Sequence, residues 1–251
     1  MAIEAGTSTY YQAKRGIPRD NLIFYIDPSI KDSYRNINDD KIYSLVNPSH
    51  YMNIASGSNY KRGRKNAGIE YTGGISLGTM HIASLAGSYG MSMEGATYVL
   101  YAKCGQNIPV GGGAFTNWII QIGSYYGNNS FGLGLQSSQL IVFIRGSNED
   151  GWTYAGAVSP TNQLIYTNNI NNWIFYVIRF IGDDAVKIHL NNTQCWNISN
   201  LSNPFTGISN NYMYLGRSQQ ETVGLFAVYD TALSDDKISD FYNATRHRFG
   251  L

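Results

Sequence analysis

The sequence predicts an all-β protein, a two-sheet antiparallel sandwich with one short helix near its C-terminus. Three observations carry that reading. Short runs of apolar, β-branched and aromatic residues recur along the chain, separated by Gly, Asn and Ser clusters. Strands at intervals of roughly 8–12 residues with such punctuation mark sandwiches and barrels. The composition agrees: 27 Gly and 20 Tyr in 251 residues, with only 14% charged side chains, require a surface of Asn, Ser, Thr, Gly and Tyr. One helical stripe stands out, after Leu233.

Taken in order, residues 1 to 20 are polar, contain Gly6, Gly16 and Pro18, and read as an extended N-terminal arm. Asn21 to Asp27 sets Leu22, Phe24 and Ile26 against Ile23 and Tyr25. Strands are expected at Thr97 to Ala102, Trp118 to Ile122, Phe131 to Leu135 and Leu140 to Ile144. Trp173 to Ile181 is apolar on both faces, as a central strand covered on both sides would be. Val186 to Leu190 alternates, with Val186, Ile188 and Leu190 inward and Lys187 and His189 outward. Asp183-Asp184 and Asn191-Asn192 supply turns on either side of it. Tyr212 to Leu215 and Gly224 to Tyr229 complete the strands. Ser234 is a natural N-cap, with Asp235 and Asp236 on the first turn, where the helix dipole favours negative charge. Leu233 and Ile238 form a hydrophobic staple, and Ile238, Phe241 and Tyr242 an apolar stripe. Arg246, His247 and Arg248 place positive charge at the end, and Gly250 stops the helix. No internal repeat, heptad pattern or linker interrupts residues 22 to 251. The expected organisation is therefore an arm, 1–20, and one domain, 21–251.

Three segments, in order, resemble a concanavalin A-like (laminin-G-like) jelly roll of the type found in phage virion proteins. They are NLIFYIDPSIKDSY (21–34), WIFYVIRFIGDDAVKIHLNN (173–192) and YLGRSQQETVGLFAVYDTALSDDKISDFYNATRHRFG (214–250). IEYTGG (69–74) is similar to the strand that family places after its variable loop. The family's Trp-x-Asp-x-Ser-Gly turn is absent, and residues 35–68 differ from the pattern. The resemblance implies a two-sheet jelly roll with a short C-terminal helix. It carries no activity by itself, because function resides in sites placed on a fold.

Bulk properties narrow the chemistry. A net charge of +1 does not describe a basic nucleic-acid binder. No stretch approaches the ~18 apolar residues of a membrane span, and Met1 to Asp20 lacks the apolar core of a secretory leader. A retaining glycosidase needs two carboxylates about 5–5.5 Å apart. The close acidic pairs here, Asp39-Asp40, Glu149-Asp150, Asp183-Asp184 and Asp235-Asp236, are adjacent residues in turns or at a helix start. Adjacent strand residues face opposite ways, so no enzyme is expected. The histidines His50, His81, His189 and His247 share no metal spacing. Asp27, Asp150 and Asp183 are conceivable calcium ligands, but six to eight oxygens cannot be assembled around them, and no cofactor is expected. Cys104 and Cys195 read as small buried apolar residues, with a single inter-sheet bridge as the alternative.

Two clusters remain. Asn148, Asp150, Trp152 and Tyr154 have the character of a sugar site: rings to stack on a pyranose, amide and carboxylate for its hydroxyls. Their other reading is an aromatic pair packed at a strand edge. Lys61, Arg62, Arg64 and Lys65 form an exposed cationic run suited to an anionic partner, or simply a solvated loop. Residue pattern and resemblance together give the expectation of a homo-oligomeric virion structural protein, made in the host cytoplasm. Its arm would dock on other virion proteins and its domain would display a lectin-like surface, with host-surface glycans as further partners. A carbohydrate-binding module is the alternative function, and a glycan hydrolase a more distant one.

Overall fold

The run Trp173–Ile181 is buried along all but its last residue, and the fold is built around it. The computed structural model describes residues 16–30, 32–33, 41–53, 58–61, 68–71, 79–81, 95–104, 117–123, 130–136, 139–145, 154–157, 172–199, 212–217 and 221–251. Among them, in chain order, are β1 (Leu22–Ile26), β2 (Lys41–Tyr43), β3 (Tyr51–Asn53), β4 (Ser58–Lys61), β5 (Gly68–Tyr71), β6 (Thr79–His81), β7 (Thr97–Cys104) and β8 (Asn117–Ile122). There follow β9 (Ser130–Gln136), β10 (Gln139–Arg145), β11 (Tyr154–Ala157), β12 (Trp173–Ile181), β13 (Ala185–Leu190), β14 (Thr193–Ile198), β15 (Tyr212–Arg217) and β16 (Glu221–Tyr229). Helix α1 (Asp235–Thr245) and a 3-10 turn (Arg246–Arg248) come after β16.

The described strands form three antiparallel sheets. One has eight strands, in the order β14-β13-β12-β7-β16-β5-β4, with β1 also on β16. The second has six, β11-β10-β9-β8-β15-β6, and β2-β3 make a separate ribbon. The expected two-sheet sandwich thus gains a third, small sheet, which lies in the region where the sequence departs from the family pattern. Strand β16 carries two neighbours on one edge: β5 along Thr222 and Val223, β1 along Phe226 to Tyr229. The first and last of the described strands are therefore partners.

Alternation sorts the large sheet into two cores. Ile174, Tyr176, Ile178 and Phe180 of β12, with Tyr98 and Leu100 of β7, face the six-stranded sheet and meet Ile120, Phe131, Leu133, Val142 and Met213. Trp173, Phe175 and Val177, with Val99 and Tyr101, point the other way, onto Ile238 and Phe241 of α1 and Phe249. Both faces are thus dry, which explains why β12 reads as continuously apolar. In β16 the register against β7 shifts between Val223 and Phe226. Gly224 lies within this shift. A Cβ there would meet Phe249 Cε1 at 2.7 Å, so the close seating of Phe249 on the sheet needs glycine.

The helix forms where its signals stand. Ser234 Oγ accepts from the Lys237 amide at 3.3 Å, and Leu233, Ile238 and Phe241 are buried in one cluster. Tyr101 stacks on Phe249 with centroids 3.9 Å apart, and its hydroxyl meets Thr245 Oγ1 at 2.8 Å. The basic triplet forms the 3-10 turn rather than the last turn of the helix. At the other terminus of the fold, Ile17 is 3% exposed in the same outer core, and the Tyr229 hydroxyl donates to the Pro18 carbonyl at 2.9 Å. Residues 1–15 of the expected arm lie outside the described residues.

The Asn191-Asn192 turn occurs as read, with φ of 47° and 65°. Two successive left-handed residues are what a two-residue type I′ hairpin requires, and asparagine tolerates them best after glycine. Asn191 adds a second role, since its Oδ1 accepts from the Phe175 amide at 3.0 Å.

Candidate functional site

Of the four residues expected at a sugar site, only Tyr154 lies among the described residues. Tyr154 opens the edge strand β11 opposite Ile144 of β10. Asn148, Asp150 and Trp152 belong to the connection between these strands and lie outside the described residues. Arg145 pairs with Ser130, and Phe131 with Ile122, so the chain leaves β10 and β8 at the same end of the sheet. On the outward side of this sheet Phe143 is 0% exposed and lies over Gly132, where a Cβ would collide with its Cε1. Only glycine lets the ring settle on the strand. Gln121 and Ser130, also outward, are buried beside it, and Gln121 Nε2 donates to the Gly123 carbonyl at 2.9 Å.

The expected cationic run is the connection of a hairpin. Lys61 ends β4 opposite Gly68 of β5, at the edge of the eight-stranded sheet. Arg62, Arg64 and Lys65 lie outside the described residues.

Asp27, considered for calcium, has another task. It is wholly buried, and both its oxygens are claimed by one guanidinium. Arg248 Nη1 reaches Oδ2 at 2.8 Å and Nη2 reaches Oδ1 at 2.8 Å. Ser29 Oγ donates to Oδ1 at 2.6 Å and the Tyr25 hydroxyl to Oδ2 at 3.1 Å. Burial works against the charge on Arg248, but the Asp27 carboxylate outweighs it and holds the guanidinium above its ordinary pKa. The pair ties the first strand to the turn after the last helix. Asp183 stands in an exposed turn instead. No group of three metal-ligating side chains occurs among the described residues.

His189 was expected to face outward on β13. It does, but it is only 4% exposed. The covering is explained by α1, which reaches the β13–β14 turn where Asn192 Nδ2 donates to Ser239 Oγ at 3.2 Å. Burial, then the Arg179 charge, push its imidazole down to about 4, with Asp235 opposing and Lys187 adding to the fall. Arg179, buried on the neighbouring strand, pairs with Asp235 at 2.6 Å and donates to the Leu233 carbonyl at 2.5 Å, so the helix start is anchored to the sheet. Cys195 forms no disulfide, so the alternative of a bridge to Cys104 is not realised, and its thiol donates to the Ile188 carbonyl at 3.3 Å. Burial raises its pKa to about 12, and it behaves as an inert packing residue. No helix among the described residues is long and apolar enough to cross a membrane.

No protein-family model matches the chain, and no curated protein matches it. Solved structures do. The binding domain of Paraclostridial Mosquitocidal Protein 1 superposes with a TM-score of 0.66 at 16% identity, over 89% of this chain and 52% of that one. Trypanosoma rangeli sialidase gives 0.66 at 13% identity, over 92% and 34%. The receptor binding domain of botulinum neurotoxin C/D mosaic serotype gives 0.61 at 10%, over 89% and 51%. This chain spans about half of the two toxin domains and about a third of the sialidase. At such identities the likeness is one of fold: an open antiparallel β architecture that also occurs within toxin binding domains.

Proposed function

We propose that this chain is a non-enzymatic carbohydrate-binding module of the concanavalin A-like jelly-roll class, serving adhesion to a glycosylated surface. The observation that carries the reading is the match of nearly the whole chain to a toxin binding domain. It is supported by the likeness to a second, receptor-binding toxin domain and to part of an enzyme that has been solved with sialic acid. Ligand contact is assigned to Asn148, Asp150, Trp152 and Tyr154, with Trp152 as the stacking ring. The run Lys61, Arg62, Arg64 and Lys65 is assigned to an anionic partner. A glycan array probed with the labelled chain tests this. Specific binding that Trp152→Ala abolishes, with the thermal melt unchanged, supports the module. Silence across neutral, sialylated and bacterial polysaccharides would sink it. Release of reducing sugar from a bound polysaccharide would make it an enzyme instead.

A second reading sets this module on a virus particle as a homo-oligomeric subunit. It rests on the ordered resemblance of residues 21–34, 173–192 and 214–250 to phage virion proteins. In this reading the N-terminal arm docks on other virion proteins. Because Ile17 and Pro18 hold contacts within the fold, the informative truncation removes residues 1–15. Mass spectrometry of purified particles should find the full chain and miss the truncated one; equal incorporation would refute the docking role.

A further inference from the structure

The β2-β3 ribbon alternates strictly. Ile42 and Met52, directly paired, are 2% and 3% exposed in the core between the sheets. Lys41, Tyr43, Tyr51 and Asn53 are therefore on the opposite face. Tyr51 is 40% exposed and is the one large hydrophobic side chain exposed among the described residues. Its cross-strand partner is Tyr43, with centroids 6.1 Å apart and planes at 56°. Lys41 Nζ lies 4.5 Å from the Tyr51 centroid, and Asn53 stands opposite Lys41.

From this we infer that the outward face of the ribbon is a glycan subsite, with Tyr51 as the platform for a sugar ring, and with Asn53 and Lys41, whose ammonium stands over the Tyr51 ring until a sugar takes its place, as hydroxyl-binding donors. The proposal rests on the glycan-binding reading above. A tyrosine offers a large, rigid contact surface at small entropic cost. The ribbon is also fixed before any ligand arrives, which spares the cost of ordering it. The Tyr43 amide donates to the Ser33 carbonyl at 2.7 Å, the Ser44 amide to the His50 carbonyl at 2.8 Å, and the Leu45 amide to the Tyr25 carbonyl at 2.7 Å. Asn47 closes the turn, its Oδ1 accepting from the Ser49 amide at 3.0 Å and hydroxyl at 2.7 Å. The chemistry is what favours a sugar: an aromatic ring packs against the C–H face of a pyranose, and the Lys41 ammonium and Asn53 amide are donors for its hydroxyls.

The experiment is an array of neutral and acidic oligosaccharides probed with the full chain and with Tyr51→Ala, Tyr51→Phe and Trp152→Ala. Saturation-transfer NMR then follows on the best-bound oligosaccharide. Tyr51→Ala should weaken binding roughly tenfold, Tyr51→Phe should keep it, and melting temperatures should move by less than about 2 °C for a surface change. Wild-type affinity in Tyr51→Ala overturns the subsite. If Trp152→Ala alone abolishes binding, the module stands and the ribbon falls. If the wild-type chain binds no glycan, both fall together.

Discussion

Replacing Arg248 with methionine should be among the most damaging single changes outside the inter-sheet core. The substitution keeps an apolar stem of similar length and removes the guanidinium. Asp27 would stay buried, with neither oxygen facing a cation. Breaking a buried pair from one side costs about 3–5 kcal/mol, because it leaves a charge without compensation. Ser29 and the Tyr25 hydroxyl still donate to the carboxylate, which argues for the lower end, about 3 kcal/mol. For a domain of this size each kcal/mol moves the midpoint by about 2–4 °C, so the melt should fall by roughly 6–12 °C. Urea titration followed by tryptophan fluorescence, together with calorimetry, measures this. The double variant Asp27→Leu, Arg248→Met separates the two parts of the effect. An apolar pair of matched volume is often neutral or better than the ion pair it replaces. The double variant should therefore recover much of the loss, with a coupling energy within the roughly 0.5–3 kcal/mol found for contacting residues. A loss below about 1 kcal/mol in Arg248→Met, or strict additivity in the cycle, would refute the claim that this pair clamps the ends of the fold.

Two further outcomes follow from the packing. Gly132→Ala places a methyl where Phe143 lies and should cost about 1–3 kcal/mol or more as an overpacked site, with Phe143→Ala in the same chain relieving much of it; a neutral Gly132→Ala would contradict the placement of the ring. His189 should make stability fall in acid. Its folded pKa of about 4 lies below the ordinary 6.5, so the unfolded chain takes up the proton first, and stability present above pH 6.5 is lost as pH falls toward 4. The amount is about 3 kcal/mol at most, and His189→Gln should flatten that part of a urea-midpoint profile, whereas an unchanged slope would show that other groups set it.

Much of the scaffold was legible in the sequence because local signals and tertiary demands coincide there. The Trp173–Ile181 run, the Asn191-Asn192 turn and the Ser234 cap were each set by a rule acting within a few residues. The ribbon was not read, although Lys41–Tyr43 and Tyr51–Asn53 alternate, because three-residue strands give too little periodicity to separate from chance. His189 was placed on the correct face, but its burial was not legible, since alternation fixes direction and says nothing of what lies above the sheet. The proposed sugar residues were legible only as a chemical type, and three of the four, Asn148, Asp150 and Trp152, lie outside the described residues.

The sequence by itself determined the β architecture, the capped helix and the longer strands, because period, turn chemistry and capping are written in neighbouring residues. Only the tertiary structure decided that Asp27 meets Arg248, that β1 and β16 are partners, and that the outer face of the large sheet is a second core. Those facts join positions up to 221 residues apart in the chain. Contacts at that separation are set by how whole sheets and the helix stack, and no local pattern records them.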